Sequence, residues 1–141
     1  MKILLVNASF VCYNEIMKKL GVLFVLLLSG CAYHNPLDSA DFRFQTLNTP
    51  PYMVSSWYRV GQRGQPLTVY VEKPQLDDET RALAAKDKST NVAYVARPCQ
   101  YFQTDICEKP VPMIASNKAV NQAIRQLQKK AATNEVKIKG M

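Results

Sequence analysis

The chain contains four cysteines and one histidine, residue types that often serve as nucleophiles, bases or metal ligands. The cysteines are Cys12, Cys31, Cys99 and Cys107, and none of their spacings is the C-x-x-C of a zinc ribbon or a thioredoxin-type redox pair. His34 is the single histidine among 141 residues. One histidine excludes any catalytic or metal centre that takes two from the same chain. The sequence therefore predicts no metal site and no cofactor, and it leaves the cysteines to be explained.

Cys31 stands at the end of a segment with the layout of a bacterial export signal. Two lysines precede nine uncharged, mostly apolar residues, 20–28, and the segment ends in Leu28-Ser29-Gly30-Cys31. This ending resembles the lipobox of bacterial lipoproteins, whose cysteine receives diacylglycerol and becomes the mature N-terminus. Nine helical residues rise about 14 Å, roughly half of a hydrocarbon core, which is too short for a spanning anchor. We therefore expect Cys31 to be lipidated; the alternative is a core helix that happens to carry a cysteine.

The lipobox divides the chain into four parts. They are a mis-annotated leader, a lipoprotein signal peptide, a tether and a domain, at residues 1–16, 17–30, 31–41 and 42–141. The leader improves no export signal, so we expect translation to start at Met17. The tether is polar and broken by Pro36, and it contains His34, which is expected to be solvated rather than catalytic.

Charge and location follow from the same division. From Cys31 onward the chain carries fifteen basic and ten acidic residues, a net charge of about +5. The basic residues form no run longer than Lys129-Lys130 and do not alternate with aromatic ones, so nucleic acid is not an expected partner. The expected partner is the lipid bilayer, reached through acylated Cys31 on the periplasm-facing side of a bacterial cell envelope. Ala32, where an aspartate would retain the protein at the inner membrane, favours the outer membrane by analogy with lipoprotein sorting.

The domain shows the strand pattern of an α/β protein. Aromatic and β-branched residues between Gly- and Pro-rich turns predict strands at 42–45, 52–60, 67–72, 91–97 and 135–139. The first two strands should pair back through a turn at residues 48–51. The near-continuous apolar run at 91–97 is typical of a strand buried on both faces of a sheet.

Two helices complete the predicted α/β order. Acidic residues 77–79 favour a helix start, with Leu76, Leu83 and Ala84 on its apolar face and its end near Asp87. Ser116 or Asn117 can cap a second helix that runs through about Ala132. Together the elements predict an antiparallel lead-in followed by parallel strands with covering helices.

Residues 91–101, Asn-Val-Ala-Tyr-Val-Ala-Arg-Pro-Cys-Gln-Tyr, resemble exported bacterial lipoproteins with the α/β-hydrolase fold. The strand at 67–72, Cys107, and the helix and strand between residues 118 and 140 fit the same family. The likeness extends over about residues 42–140, and its specific part is 91–101. It implies a partial α/β-hydrolase-like sheet and a serine hydrolase of esters or similar acyl compounds. The family's G-x-S-x-G nucleophile elbow follows the fifth strand, with the acid and the histidine later in the chain.

Two departures from that family remove the chemistry. Gly140 would open the elbow, yet only Met141 follows it, and no serine of the chain stands in G-x-S-x-G. After Glu72, the family's glycine-rich oxyanion loop is replaced by residues 73–76, Lys-Pro-Gln-Leu. We therefore expect no catalytic residue, and a shortened hydrolase-like domain that is incomplete at the C-terminal edge of its sheet and inactive alone. Two alternatives stay open: one half of a split hydrolase completed by a second chain, and a non-enzymatic binding or structural lipoprotein.

Cys99 and Cys107 enclose a short loop in what would be an oxidising compartment, so a disulfide is the first interpretation. Closing about nine residues should contribute on the order of 2–3 kcal/mol. The alternative, a thiol nucleophile, needs a nearby base, and His34 is a poor candidate for it.

Three further features each allow a functional and a structural interpretation. Arg97 could meet an acidic ligand at the carboxyl end of the sheet, but pairing with Asp105 or Glu108 is favoured. The carboxylates at 77–79 could form a metal cluster, but a helix start explains them better. Trp57-Tyr58 could form a binding platform, but packing within the sheet is favoured.

Overall fold

The structure, a computed structural model, describes residues 35–38, 40–75 and 78–140. The leader, the signal peptide, Cys31 and His34 lie outside the described residues, as do Leu76 and Asp77. Residues Pro36–Met141 form one compact unit. No helix within the described ranges combines the length and the apolar character needed to cross a bilayer.

The described chain folds as one mixed five-stranded sheet with helices, which confirms the predicted α/β class. Its elements in chain order are β1 (Arg43–Thr49), β2 (Tyr52–Val60), β3 (Leu67–Val71), α1 (Asp78–Lys86), β4 (Asn91–Val95), a 3-10 helix (Asp105–Glu108), α2 (Met113–Ala131) and β5 (Val136–Lys139). The strand order is β1-β2-β4-β3-β5. β2 is antiparallel to both β1 and β4, whereas β3 is parallel to both β4 and β5. The expected antiparallel lead-in and parallel remainder are both present.

β4 lies inside the sheet and is buried on both faces, as its apolar run predicts. Side chains alternate along a strand, so Val92 and Tyr94 face one side while Ala93 and Val95 face the other. Val92 and Tyr94 pack in a cluster that also holds Trp57. Ala93 and Val95 belong to a larger cluster with the apolar side of α2. The two clusters are the two halves of the core.

α2 covers its face of the sheet with a stripe of small and branched side chains spaced three or four residues apart. The buried residues of this stripe are Ala119, Val120, Ala123, Ile124, Leu127 and Ala131. The helix ends where Ala132 adopts a left-handed conformation with φ 55°. Lys129 and Lys130 lie in the last turn, where the helix dipole favours cations.

The end of β1 and the start of α2 differ from the sequence-based expectation. β1 continues to Thr49, through residues predicted to be a turn, because pairing with β2 extends to Tyr52. α2 begins at Met113, and not after Ser116 or Asn117, because extended Pro112 is its N-cap and accepts the Ser116 N–H at 2.9 Å.

α1 buries only part of the face expected for it, because Ala84 is buried as predicted and Leu83 is not. Leu83 is 55% exposed, while Thr80, Arg81 and Ala84 are buried. A buried carboxylate beneath the helix explains this choice, since Glu72 is fully buried and Arg81 lies against it.

Candidate functional site

The carboxyl ends of β3 and β4 meet at one edge of the sheet, which is where open α/β sheets bind ligands. β3 runs into Glu72, whose N–H donates to the Val95 carbonyl at 2.9 Å. β4 runs into Ala96, whose N–H donates to the Ser55 carbonyl at 2.9 Å, and Arg97 comes next. Glu72 and Arg97 therefore leave the sheet together, and both side chains are buried.

Among the described residues, the side chain of Arg97 donates hydrogen bonds only to neutral acceptors. Its Nε donates to the Glu72 carbonyl at 2.7 Å, and its Nη1 donates to Ser116 Oγ and to Asn117 Oδ1, each at 2.9 Å. The thioether sulfur of Met113 lies 3.8 Å from the same Nη1. The residue is only 7% exposed. These contacts fix the guanidinium between the sheet edge and the first two turns of α2.

The expected ion pair of Arg97 with Asp105 or Glu108 is therefore wrong. Both carboxylates belong to the 3-10 helix, and both residues are exposed. The early start of α2 is the physical reason, because it places Ser116 and Asn117 inside the helix and within reach of Arg97.

The carboxylate of Glu72 is directed to a different arginine. Arg81 Nη1 lies 3.4 Å from Glu72 Oε1, and Arg81 Nη2 bonds to Asp78. Burial lowers the pKa of Arg97, and the charge of nearby Glu72 acts in the opposite direction without reversing the shift. Arg97 is thus a buried cation whose attraction to Glu72 only partly offsets its desolvation.

The metal interpretation of residues 77–79 finds no support in the part that the structure describes. Asp78 bonds to Arg81, and Asp77 lies outside the described residues. Within the described residues, no group of three potential ligands is close enough together to hold a metal ion.

Arg97 lines an open cleft of about 220 Å³ at this edge of the sheet. Its apolar walls are formed by Pro74, Pro98, Val111 and Met113. The cleft thus joins the loop after β3, the loop after β4 and the start of α2 around one cation.

Gln100 and a disulfide hold the loop after β4 in place. The Arg97 N–H donates to Gln100 Oε1 at 3.2 Å, and Gln100 Nε2 donates to the Pro74 carbonyl at 3.0 Å. Cys99 and Cys107 are joined by a disulfide across a sequence separation of eight residues, as their placement predicts. A sulfur in a disulfide is not a thiolate, so the thiol-nucleophile interpretation does not apply to this state.

The Trp57-Tyr58 pair contributes to packing rather than to an open binding platform. Trp57 is 4% exposed, and its Nε1 donates to Asp38 Oδ1 at 3.0 Å. Its ring makes edge contacts with Tyr94 and Tyr101, with ring centroids 5.8 and 5.2 Å away. The Tyr58 ring lies under Lys130 Nζ at 5.2 Å.

A second polar contact, between Tyr70 and Asp87, was not anticipated from the sequence. The Tyr70 hydroxyl donates to Asp87 Oδ2 at 2.6 Å. Burial, followed by the hydrogen bond and the charge of Asp87, raises the pKa of Tyr70 from 10 to about 12. Burial alone would raise the pKa of Asp87, but hydrogen bonds from Ser89 and Tyr70 hold it below its ordinary value. This pair ties β3 to the end of α1.

The chemistry of the cleft is that of binding. Arginine holds its proton across the physiological range, so Arg97 acts as a fixed cation and hydrogen-bond donor rather than as a proton shuttle. Ser116 Oγ accepts a bond from that cation, which is the opposite of what activates a hydroxyl nucleophile. Only the position of Arg97 after an apolar strand pointed to this edge; Gln100, Ser116 and Asn117 carry no sequence signal for their roles.

Comparison of the chain with protein-family models, with curated proteins and with solved structures returned no match.

Proposed function

We propose that this protein is a lipid-anchored lipoprotein of the bacterial cell envelope, facing the periplasm, and that it binds rather than hydrolyses. The observation that carries the proposal is Leu28-Ser29-Gly30-Cys31 directly after a basic and apolar segment. The Cys99–Cys107 disulfide supports it, because such bonds persist in oxidising compartments. The bilayer is then the partner of the acylated Cys31.

We further propose that the domain is related to the N-terminal half of a serine hydrolase. The antiparallel β1–β2 pair followed by parallel strands agrees with the arrangement that the resemblance of residues 91–101 implies. Inactivity of these 141 residues by themselves is supported by the single histidine at position 34 and by the loop after β3. That loop carries Pro74, which has no N–H, where the family has glycines that bring N–H groups to the substrate oxygen.

The anchor is tested by mass spectrometry of the membrane fraction from cells that express the full gene. We expect an acylated N-terminal peptide that begins at Cys31, and a loss of membrane association in Cys31→Ser. Cys12→Ser is the matched control, since a product that starts at Met17 never contains that residue. A membrane-bound protein with an unmodified Cys31 thiol would refute the proposal.

The absence of hydrolysis is tested with activated esters and a fluorophosphonate probe on the purified chain. Neither serine-dependent turnover nor covalent labelling is expected, since the described residues include no histidine that could activate a serine. Stoichiometric labelling of one serine would show that the protein is an enzyme by itself. The lipid anchor would be unaffected by that result.

A split hydrolase is the second candidate, and the position of β5 favours it. β5 pairs with β3 on one side and lies at an edge of the described sheet, where Ile138 is 46% exposed. An edge strand of this kind can pair with a strand from another chain, although Lys137 and Lys139 oppose non-specific pairing. A neighbouring gene that encodes a G-x-S-x-G elbow, with a product that co-purifies and restores ester hydrolysis, would establish this candidate in place of the first.

A further inference from the structure

The cleft at Arg97 contains a buried positive charge that the surrounding residues compensate only in part. Arg97 is nine-tenths buried, and its bonded acceptors are a carbonyl, a hydroxyl, an amide oxygen and a thioether sulfur. Burying a cation costs free energy unless an anion compensates it. The carboxylate of Glu72, whose charge acts on Arg97, is engaged with Arg81. A ligand that supplies negative charge would therefore be stabilised here.

Part of the guanidinium is still available to such a ligand. Nε and Nη1 of Arg97 are engaged as described, whereas Nη2 donates to no atom of the described residues. Nη2 carries two N–H groups, and Arg97 lines the cleft. The contacts at Nε and Nη1 hold the guanidinium rigidly, so little conformational freedom is lost when Nη2 binds.

The start of α2 adds a second source of positive potential. Met113 and Ser116, one turn apart, both line the cleft, so the N-terminal end of this 19-residue helix lies at its wall. Pro112 is the N-cap and makes no side-chain capping bond. The first intrahelical bond is the one from the Ser116 N–H to the Pro112 carbonyl, so the N–H groups of residues 113–115 have no acceptor among the described residues and can donate to an anion.

The shape and polarity of the cleft limit the ligand further. Its volume is about 220 Å³, and its walls include Pro74, Pro98 and Val111. Apolar walls favour an anion that carries an apolar body over a fully hydrated inorganic ion. One free nitrogen of a guanidinium and a few helix N–H groups match the two oxygens of a carboxylate.

We propose that this cleft binds a carboxylate carried on a short apolar body, with Arg97 Nη2 and the first turn of α2 as its donors. Carboxylates of this class include short fatty acids, acyl products and the C-terminus of an apolar peptide. The proposal depends neither on the lipid anchor nor on the relation to hydrolases. All the residues that would bind the carboxylate lie in the described domain.

The test uses the full chain in mild detergent and three probes: hexanoate, its neutral counterpart hexanamide, and inorganic phosphate. Binding is measured by calorimetry and by the NMR shifts of the Arg97 side chain and of the amides of residues 113–115. Saturable binding of hexanoate is expected, with hexanamide and phosphate at least about tenfold weaker, because a hydrogen bond to a charged group is lost or the apolar contact is absent. Equal affinity for hexanoate and hexanamide, or tighter binding of phosphate, would overturn the assignment.

Two substitutions at Met113 test whether a side-chain carboxylate competes with the ligand for Arg97, with a neutral side chain as the control. Met113 is half-exposed and lies beside Arg97 Nη1, so Met113→Glu and Met113→Gln should both fold. Met113→Glu places a carboxylate in the cleft and is expected to weaken hexanoate binding about tenfold or more, whereas Met113→Gln stays within about threefold of the parent. Arg97→Lys keeps the charge but lacks Nη2, and it should also lose most of the affinity. If Met113→Glu binds hexanoate as well as Met113→Gln does, the ligand does not lie at this cation and the proposal is wrong.

Discussion

Asn91 offers the sharpest test of how this fold is held together. The residue is fully buried at the start of β4, and its side-chain amide makes four hydrogen bonds to the turn between β2 and β3. Oδ1 accepts the N–H groups of Gly61 and Gln62 at 3.0 and 3.1 Å. Nδ2 donates to the carbonyls of Gln62 and Gln65 at 2.8 and 2.9 Å. One side chain thus adds to the backbone bonds of this turn, in which the Gly61 N–H also donates to the Thr90 carbonyl at 3.0 Å and the Gln65 N–H to the Gln62 carbonyl at 3.4 Å.

Asn91→Ala removes all four bonds at once. Each bond contributes about 0.5–1.5 kcal/mol net, and the turn residues are exposed, so water can rehydrate part of what is lost. The expected loss in the free energy of unfolding is therefore about 2–4 kcal/mol. Asn91→Asp keeps the two acceptor bonds, loses the two donor bonds and buries a charge, so a loss of at least about 2 kcal/mol is expected there too.

The assay is urea unfolding followed by Trp57 fluorescence, with Asn134→Ala as the matched control. Asn134 is exposed and makes no side-chain hydrogen bond to the described residues, so its substitution should change stability by less than about 0.5 kcal/mol. A loss below about 1 kcal/mol in Asn91→Ala, with the control unchanged, would refute the view that this amide clamps the turn.

Three further outcomes are expected. Replacing Cys99 and Cys107 by serine should lower the free energy of unfolding by about 2.5 kcal/mol, the loop-closure entropy of their eight-residue separation, and reductant should have no further effect on that variant. The phenol of Tyr70 has a pKa of about 12 in the folded protein and near 10 in the unfolded chain. Its contribution to the free energy of unfolding is therefore complete below pH 10 and is lost as the pH rises towards 12. In alkaline unfolding curves, Tyr70→Phe should lose less stability between pH 10 and 12 than the parent does. Tyr94→Phe should raise the melting temperature, by the equivalent of about 1 kcal/mol, because the buried Tyr94 hydroxyl has no partner among the described residues.

Each of these outcomes has a clear opposite. An unchanged stability without the disulfide would mean that the loop is ordered equally well in the unfolded chain. Parallel alkaline curves for the parent and Tyr70→Phe would show that the phenol titrates normally in the fold. A destabilised Tyr94→Phe would reveal a bonded hydroxyl, with a buried water as the first candidate.

The interior of the sheet was predictable because burial there depends on local pattern. The run from Val92 to Val95 is apolar at successive positions, which suits a strand covered on both faces, and β4 is that strand. The stripe from Ala119 to Ala131 has the period of a helix with one buried side, and α2 packs that side on the sheet. In both cases the residues that form the element also determine where it is buried.

The polar parts of the core were not predictable, since their partners are distant in sequence. Arg97 finds Ser116 and Asn117 nineteen and twenty residues away, and Asn91 finds the turn at 61–65 across the sheet. The predicted start of α2 is wrong because Ser116 and Asn117 are good capping residues, yet both accept hydrogen bonds from Arg97 instead. The predicted burial of Leu83 is wrong for a related reason, since α1 turns Arg81 inward to meet the buried Glu72.

The loop after β3 connects these observations to function. A hydrolase of the expected type would use N–H groups of this loop to stabilise an oxyanion. Here the loop offers carbonyls to its surroundings instead, because Gln100 Nε2 donates to the carbonyls of Lys73 and Pro74 at 3.4 and 3.0 Å. The hydrogen-bond donors that remain for an anion at this edge of the sheet come from Arg97 and from the first turn of α2. An anion bound at this edge would therefore meet a permanent cation rather than a transient oxyanion hole, which favours retention of a charged ligand over turnover of a neutral ester.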